Sequence, residues 1–178
     1  YKIIGALTNK RGKDIIDFCN SKNIRLIENL NDILINTKFD IGVSVQYHKI
    51  LKIRHINRAR EIMLNLHMAP LPEYRGCNQF SYAIIDKLNF FGTTIHEINE
   101  GIDSGDILFE KRFKIPKNIW VDELYKITFE KSISLFKNSL EKIIIGDYQK
   151  TKQSTLFNKR NTSLHFRNEI DNLKKIDL

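Results

Sequence analysis

The stretch Ile62-Met63-Leu64-Asn65-Leu66-His67-Met68-Ala69-Pro70-Leu71-Pro72-Glu73-Tyr74-Arg75-Gly76 decides how this chain reads. An apolar run ends abruptly in Asn65 and His67, and a loop with two of the chain's three prolines follows. Proline fixes φ and stiffens such a loop. Open α/β sheets build their sites at the carboxyl ends of strands. Asn65 and His67 are one residue apart, so on an extended strand both side chains point to the same face. An amide and an imidazole aimed at one point can hold an oxygen and handle a proton together.

On the N-terminal side the pattern alternates. Residues 2–7 predict a strand, 13–21 a helix, 24–28 a short strand, and 30–36 a helix. The apolar, β-branched run 40–45 predicts a strand covered on both faces, followed by helical character within 52–59 and a strand at 62–66. This alternation predicts an α/β fold with a Rossmann-like, mostly parallel sheet and helices on both faces.

On the C-terminal side, 79–88 predicts a helix and 90–98 a strand. The turn Glu100-Gly101-Ile102-Asp103-Ser104-Gly105 leads into another strand at 106–115, so the two strands predict an antiparallel pair. Residues 121–145 form one long helical pattern stopped by Gly146. Its apolar positions Val121, Leu124, Tyr125, Phe129, Ile133, Phe136, Leu140, Ile143 and Ile144 are expected to face the core. The domain reading is a catalytic domain over 1–146 and a polar tail over 147–178, with short strands or a subunit contact in the tail. A homodimer built on the long helix and tail is part of that expectation.

With 178 residues, the chain suits one domain with a sizeable core. No apolar run approaches the ~20 residues of a membrane-spanning helix, so no membrane role is expected. Cys19 and Cys77 lack metal-ligand spacing and make no disulfide framework, which points to a reducing, cytoplasmic setting and no metal. The net charge of +8 suits a polyanionic partner such as a nucleotide, a folate or RNA. The basic residues are scattered, without a long arginine-rich arm, which weakens the nucleic-acid option.

Two constellations carry chemistry. Taken singly, Asn65 with His67 reads as a strand-end cap, and Gly101–Asp106 as an ordinary turn in which two glycines permit tight bending. Together they supply an amide, an imidazole and a carboxylate, each at a strand-to-loop junction. That set suits acyl transfer: an oxyanion holder, a proton carrier and a carboxylate that orients the imidazole.

Asn65-Leu66-His67, Leu71-Pro72-Glu73-Tyr74-Arg75-Gly76 and Gly101-Ile102-Asp103-Ser104-Gly105-Asp106 together resemble the formyltransferases that use 10-formyltetrahydrofolate. The three pieces stand in order and at the family's spacing, over about residues 1–146. Met68-Ala69-Pro70 and Cys77-Asn78-Gln79-Phe80-Ser81 look most like the sugar N-formyltransferases acting on dTDP-linked 4-amino-4,6-dideoxysugars, such as serve O-antigen or other surface polysaccharides. The resemblance implies a formyltransferase fold lacking its first strand-helix unit.

The resemblance also implies roles. Asn65 would bind the formyl oxygen. His67 would activate the amine or polarise the formyl group, and Asp103 would bond His67 and assist proton transfer to the departing N10. Met68, Leu71, Gly101 and Ile102 would contact the folate co-substrate, with no metal. Tyr47, His48, Arg75, Asn78 and Gln79 would contact the nucleotide-linked amino sugar. His96 reads as a structural histidine. The alternatives are formylation of methionyl-tRNA or glycinamide ribonucleotide, and, from another class, a non-catalytic nucleotide-sugar or RNA-binding module.

Overall fold

A computed structural model describes residues 1–34, 38–169 and 171. They fall into two compact units, Tyr1–Gly42 with Tyr47–Met63, and Val43–Gln46 with Leu64–Leu178.

In the first unit, strand β1 (Ala6–Leu7) pairs in parallel with β2 (Leu26–Ile27), joined through helix α1 (Lys13–Ser21). The helix has the predicted bounds and buries Cys19, while the two strands are shorter than predicted. A 3-10 turn at Leu30–Leu34 stands where the helix over 30–36 is expected, and residues 35–36 of that span lie outside the described residues. The helical character expected at 52–59 is one turn, α2 (Ile53–Ile56).

Strands β3 (Phe39–Val45) and β4 (Ala59–His67) run through both units, and their second halves belong to the second. There, the short strand β5 (Arg75–Gly76) precedes helix α3 (Gln79–Ile85). Strands β6 (Phe90–Glu97) and β7 (Ile107–Lys114), helix α4 (Val121–Ile145) and strand β8 (Leu164–His165) follow. The main sheet has the order β3-β4-β6-β7. The predicted antiparallel pair is β6 with β7, and β4 with β6 is antiparallel too. Parallel pairing occurs in the two-stranded ladders β1/β2 and β5/β8, so the architecture is mixed α/β. The expectation that β3 is covered on both faces is corrected. It is first in the sheet order, and Val43 and Val45 are exposed.

The core of the second unit gathers Ala69, Tyr74, Ala83, Phe91, Ile115 and Leu124. Phe91 is fully buried, with Tyr74 and Phe80 ring centroids 5.9 and 5.7 Å away. Removing such a ring costs about 3–5 kcal/mol.

Helix α4 is well bounded. Glu123, its third residue, accepts a hydrogen bond from the Trp120 N–H at 2.9 Å, and Asp122 and Glu123 lie at the positive end of the helix dipole. Gly146 closes it at φ +74, with the Asp147 N–H bonded to the Lys142 carbonyl.

The expected core stripe of α4 is corrected. Leu124 and Ile143 are buried, but Val121, Tyr125, Phe129, Ile133 and Leu140 are exposed. The buried face also carries Thr128, Ser132 and Ser139, whose small side chains admit close packing. Their hydroxyls are satisfied where it matters. Ser132 Oγ donates to Thr93 Oγ1 at 2.7 Å, and Thr93 in turn donates to the His67 carbonyl at 3.0 Å. Thr94 Oγ1 donates to the Ala69 carbonyl at 2.9 Å. The backbone carrying His67 is thereby tied to β6 and, through it, to α4.

Candidate active site

Four side chains from three elements converge at the end of β4. Asn65 and His67 share its face, as the alternation predicts. The antiparallel register sets His96 of β6 directly opposite Asn65. The turn after β6 delivers Asp103.

That turn is built by local polar bonds. Asn99 Oδ1 accepts from the Gly101 N–H at 3.0 Å and from Ser104 Oγ at 2.8 Å. Asp103 sits in the left-handed region at φ +46. Gly105 must lack a Cβ, because one built there would run into the Glu97 carbonyl. From below, Gln153 Nε2 donates to both the Asp103 and Gly105 carbonyls at 2.8 Å. Gln153 is buried, and its Oε1 has no partner among the described residues.

The Asp103 carboxylate is held from several sides. Its Oδ1 accepts from Asn65 Nδ2 at 3.2 Å and lies 3.4 Å from His96 Nε2. Its Oδ2 accepts from the Gly76 N–H at 2.9 Å and lies 3.6 Å from His67 Nδ1. Each imidazole is anchored through its other nitrogen. His67 Nε2 is 2.7 Å from the Tyr74 carbonyl, and His96 Nδ1 is 2.8 Å from the Glu97 carbonyl. A carbonyl only accepts, so those nitrogens carry the protons. In the neutral rings, the nitrogens facing Asp103 therefore hold lone pairs.

Burial lowers the pKa of His67, and the Asp103 charge opposes this in part. Burial would raise Asp103, but the positive charge of His67 once protonated, the contact with His96 and the Gly76 N–H outweigh it and hold the carboxyl well below the usual range. The resting pair is thus a carboxylate beside a neutral imidazole. Such a site can accept a proton at His67 Nδ1 and stabilise the resulting cation.

The loop that supplies Gly76 is clamped by the segment after α4. Cys77 N–H donates to the His165 carbonyl at 2.9 Å, and the Arg75 N–H to Ser163 O at 3.2 Å. Gly76 has φ +85 and lies so close to His165 that a Cβ would strike its carbonyl. His165 stacks on Tyr82 at 3.6 Å, and both bond to Glu169, at 3.2 and 2.9 Å.

The remaining predicted residues lie as follows. Met68 and Leu71 are fully buried, while Ile102 is half-buried and Gly101 exposed. Arg75 Nε reaches the Ser163 carbonyl at 3.5 Å, and Glu73 pairs with Arg112 at 2.6 Å. Asn78 precedes α3 without capping it, and its Nδ2 donates to the Phe166 carbonyl at 3.1 Å. Gln79 opens that helix. Tyr47 and His48 belong to the first unit, where their rings lie 5.0 Å apart.

Sequence reading gave His96 only a structural role, without placing it beside Asn65, and missed Gln153 and the Gly76 N–H. His96 is recognisable only once the β4/β6 register is known, and nothing local marks Gln153 in the polar segment after α4.

The fold and this convergence define an α/β enzyme-type site with an amide, imidazoles and a carboxylate at one strand end. The chain belongs to the formyl transferase family, which it matches over residues 6–139. It is 31% identical over 150 residues to methionyl-tRNA formyltransferase from Finegoldia magna, covering 84% of this chain and 46% of that protein. The chain thus spans less than half the length of this relative. Among solved structures it is similar to WlaRD, a sugar 3-N-formyltransferase solved in the presence of dTDP and 5-N-formyl-THF. That match has a TM-score of 0.80 and 26% identity over 96% of this chain and 61% of WlaRD. It is also similar to the N-formyltransferase from Helicobacter canadensis, in complex with folinic acid and dTDP-3-aminofucose. Here the TM-score is 0.75 and the identity 25%, over 87% of this chain and 55% of that one. Among the described residues, no helix is long and apolar enough to cross a membrane.

Proposed function

We propose that this protein transfers the formyl group of 10-formyltetrahydrofolate to the amine of a dTDP-linked amino dideoxysugar, with the 4-amine of a 4-amino-4,6-dideoxysugar as the first choice. The observation that carries the reading is the convergence of Asn65, His67 and Asp103 on one point. The solved relatives bound to folates and dTDP or a dTDP-sugar support the pairing of substrates. Met68-Ala69-Pro70 supports a sugar acceptor. A cytoplasmic role in supplying formylated sugars for a surface polysaccharide follows from this reading.

The amine nitrogen attacks the formyl carbon, and the bond from that carbon to N10 breaks. Asn65 donates an amide hydrogen to the formyl oxygen as negative charge develops there. His67 Nδ1 accepts the proton released by the attacking amine and returns it to the departing N10, so the proton balance closes without a covalent enzyme intermediate. Asp103 stabilises the transient imidazolium. The backbone of Gly101 and Ile102 is assigned to the pterin edge, and Met68 and Leu71 are assigned to the folate. Tyr47, His48, Arg75, Asn78 and Gln79 are assigned to the sugar nucleotide.

Methionyl-tRNA is the second reading, favoured by the Finegoldia magna relative. Full-length protein is incubated with 10-formyltetrahydrofolate and, separately, dTDP-linked 4-amino and 3-amino dideoxysugars, glycinamide ribonucleotide and methionyl-tRNA. Mass spectrometry then follows gain of one formyl group. The reading expects transfer to a sugar. Transfer to tRNA alone, with binding that weakens steeply as salt rises, would overturn it.

A further inference from the structure

We infer that His96 is a positioning residue that fixes which end of the Asn65 amide faces the formyl group. The inference rests on the formyl-transfer reading and adds to it a residue that the mechanism above does not use.

An asparagine amide is nearly symmetric in shape, and a half-turn about its last bond exchanges its NH2 for its oxygen. The two orientations have opposite chemistry: one donates to a developing oxyanion, the other repels it. Something must therefore choose between them.

Two acceptors make the choice here. Asp103 Oδ1 lies 3.2 Å from Asn65 Nδ2, and His96 Nε2 lies at the same distance from that nitrogen. In the neutral ring His96 Nε2 is an acceptor, because the proton sits on Nδ1 facing the Glu97 carbonyl at 2.8 Å; the same Nε2 lies 3.4 Å from Asp103 Oδ1. Turning the amide over would set its oxygen against a carboxylate oxygen and an imidazole lone pair at once. The ring cannot evade this, being 2% exposed.

The backbone aims the ring at this task. The β6/β7 ladder shifts register between Ile95 and His96, an irregularity of the kind that re-aims a side chain near a site. The β4/β6 register then pairs His96 with Asn65 itself. With His96 taking one amide hydrogen, the second is left to move from Asp103 to the incoming formyl oxygen. Once that hydrogen leaves Asp103 Oδ1, His96 Nε2 is the acceptor that still fixes the amide.

Two measurements test this on full-length protein. Long-range proton–nitrogen NMR of the substrate-free protein should show His96 as the Nδ1–H tautomer with bare Nε2. A doubly protonated ring, or the Nε2–H tautomer, would overturn the inference. This readout needs no substrate, so it stands even if no amine is formylated, an outcome that would instead sink the functional reading.

The second measurement compares His96→Gln, whose side-chain oxygen can accept from Asn65, with His96→Leu, which cannot. With the acceptor that the protein formylates, His96→Leu should lower kcat about tenfold or more, with KM for the formyl donor nearly unchanged. His96→Gln should restore most of the loss. A Leu variant at wild-type kcat, or Gln and Leu variants equally slow, would show a packing role only. If the Leu variant does not fold, the NMR tautomer decides alone.

Discussion

Each unit of the chain buries a histidine in an early turn or strand end, and the two are handled differently. In the first unit, His55 is buried beside α2. Its Nδ1 accepts from the Lys52 N–H at 3.0 Å, and its Nε2 faces Asn31 Oδ1 at 3.4 Å. Both nitrogens are engaged by local structure. In the second unit, His67 is anchored at one nitrogen by the Tyr74 carbonyl, while the other faces Asp103 at 3.6 Å without a hydrogen bond. Burial lowers the pKa of both, so neither burial nor the direction of the shift separates a structural histidine from a chemical one. The separating feature is a nitrogen left free beside a carboxylate.

The contrast is broken or sharpened most strongly at Asn65. Asn65→Ala should lower turnover by about a hundredfold or more, as expected for loss of an oxyanion donor. Steady-state formyl transfer checks this, and near-normal turnover would remove Asn65 from the chemistry.

Gly76→Ala comes next. A side chain at φ +85 is strained and would strike the His165 carbonyl, so a loss of about 2 kcal/mol is expected. Thermal unfolding should fall by roughly 4–8 °C for a chain of this size. An unchanged melting temperature would mean that the β5/β8 clamp does not hold this loop.

His55→Ala is the control from the first unit. It leaves the Lys52 N–H and Asn31 without their partner and should cost about 1–2 kcal/mol of stability. Formyl-transfer rates at a permissive temperature should stay unchanged. A large fall in kcat for the folded variant would erase the contrast between the two histidines.

The smallest effect is expected at Tyr47. Tyr47→Ala should raise KM for the sugar nucleotide roughly fivefold, the scale of one lost hydrogen bond, and leave kcat intact. An unaltered KM would take Tyr47 out of the substrate site.

Much of this was legible from residue order. The α1 bounds, the β6/β7 pair and the strand-end placement of Asn65 and His67 follow from periodicity, which is local. So does the turn that carries Asp103. Partners of those residues across the sheet are not local. His96 meets Asn65 only through the register of two strands separated by 22 residues of loop and helix. Gln153 and His165 reach the site from a polar segment without periodicity. Helix α4 shows a different limit. Periodicity finds its apolar side, but packing against β6 selects a face with Thr128, Ser132 and Ser139, because small groups allow close approach.

The central claim is that His67 works as a neutral base whose cationic form Asp103 stabilises. The most direct test is the pH dependence of single-turnover formyl transfer by the wild type and by Asp103→Asn. Burial sets the wild-type acid limb below the ordinary histidine value of 6.5. Asp103 raises the pKa of His67, so removing its charge should move that limb to still lower pH while the plateau rate falls. A limb that stays in place or moves upward would contradict the account.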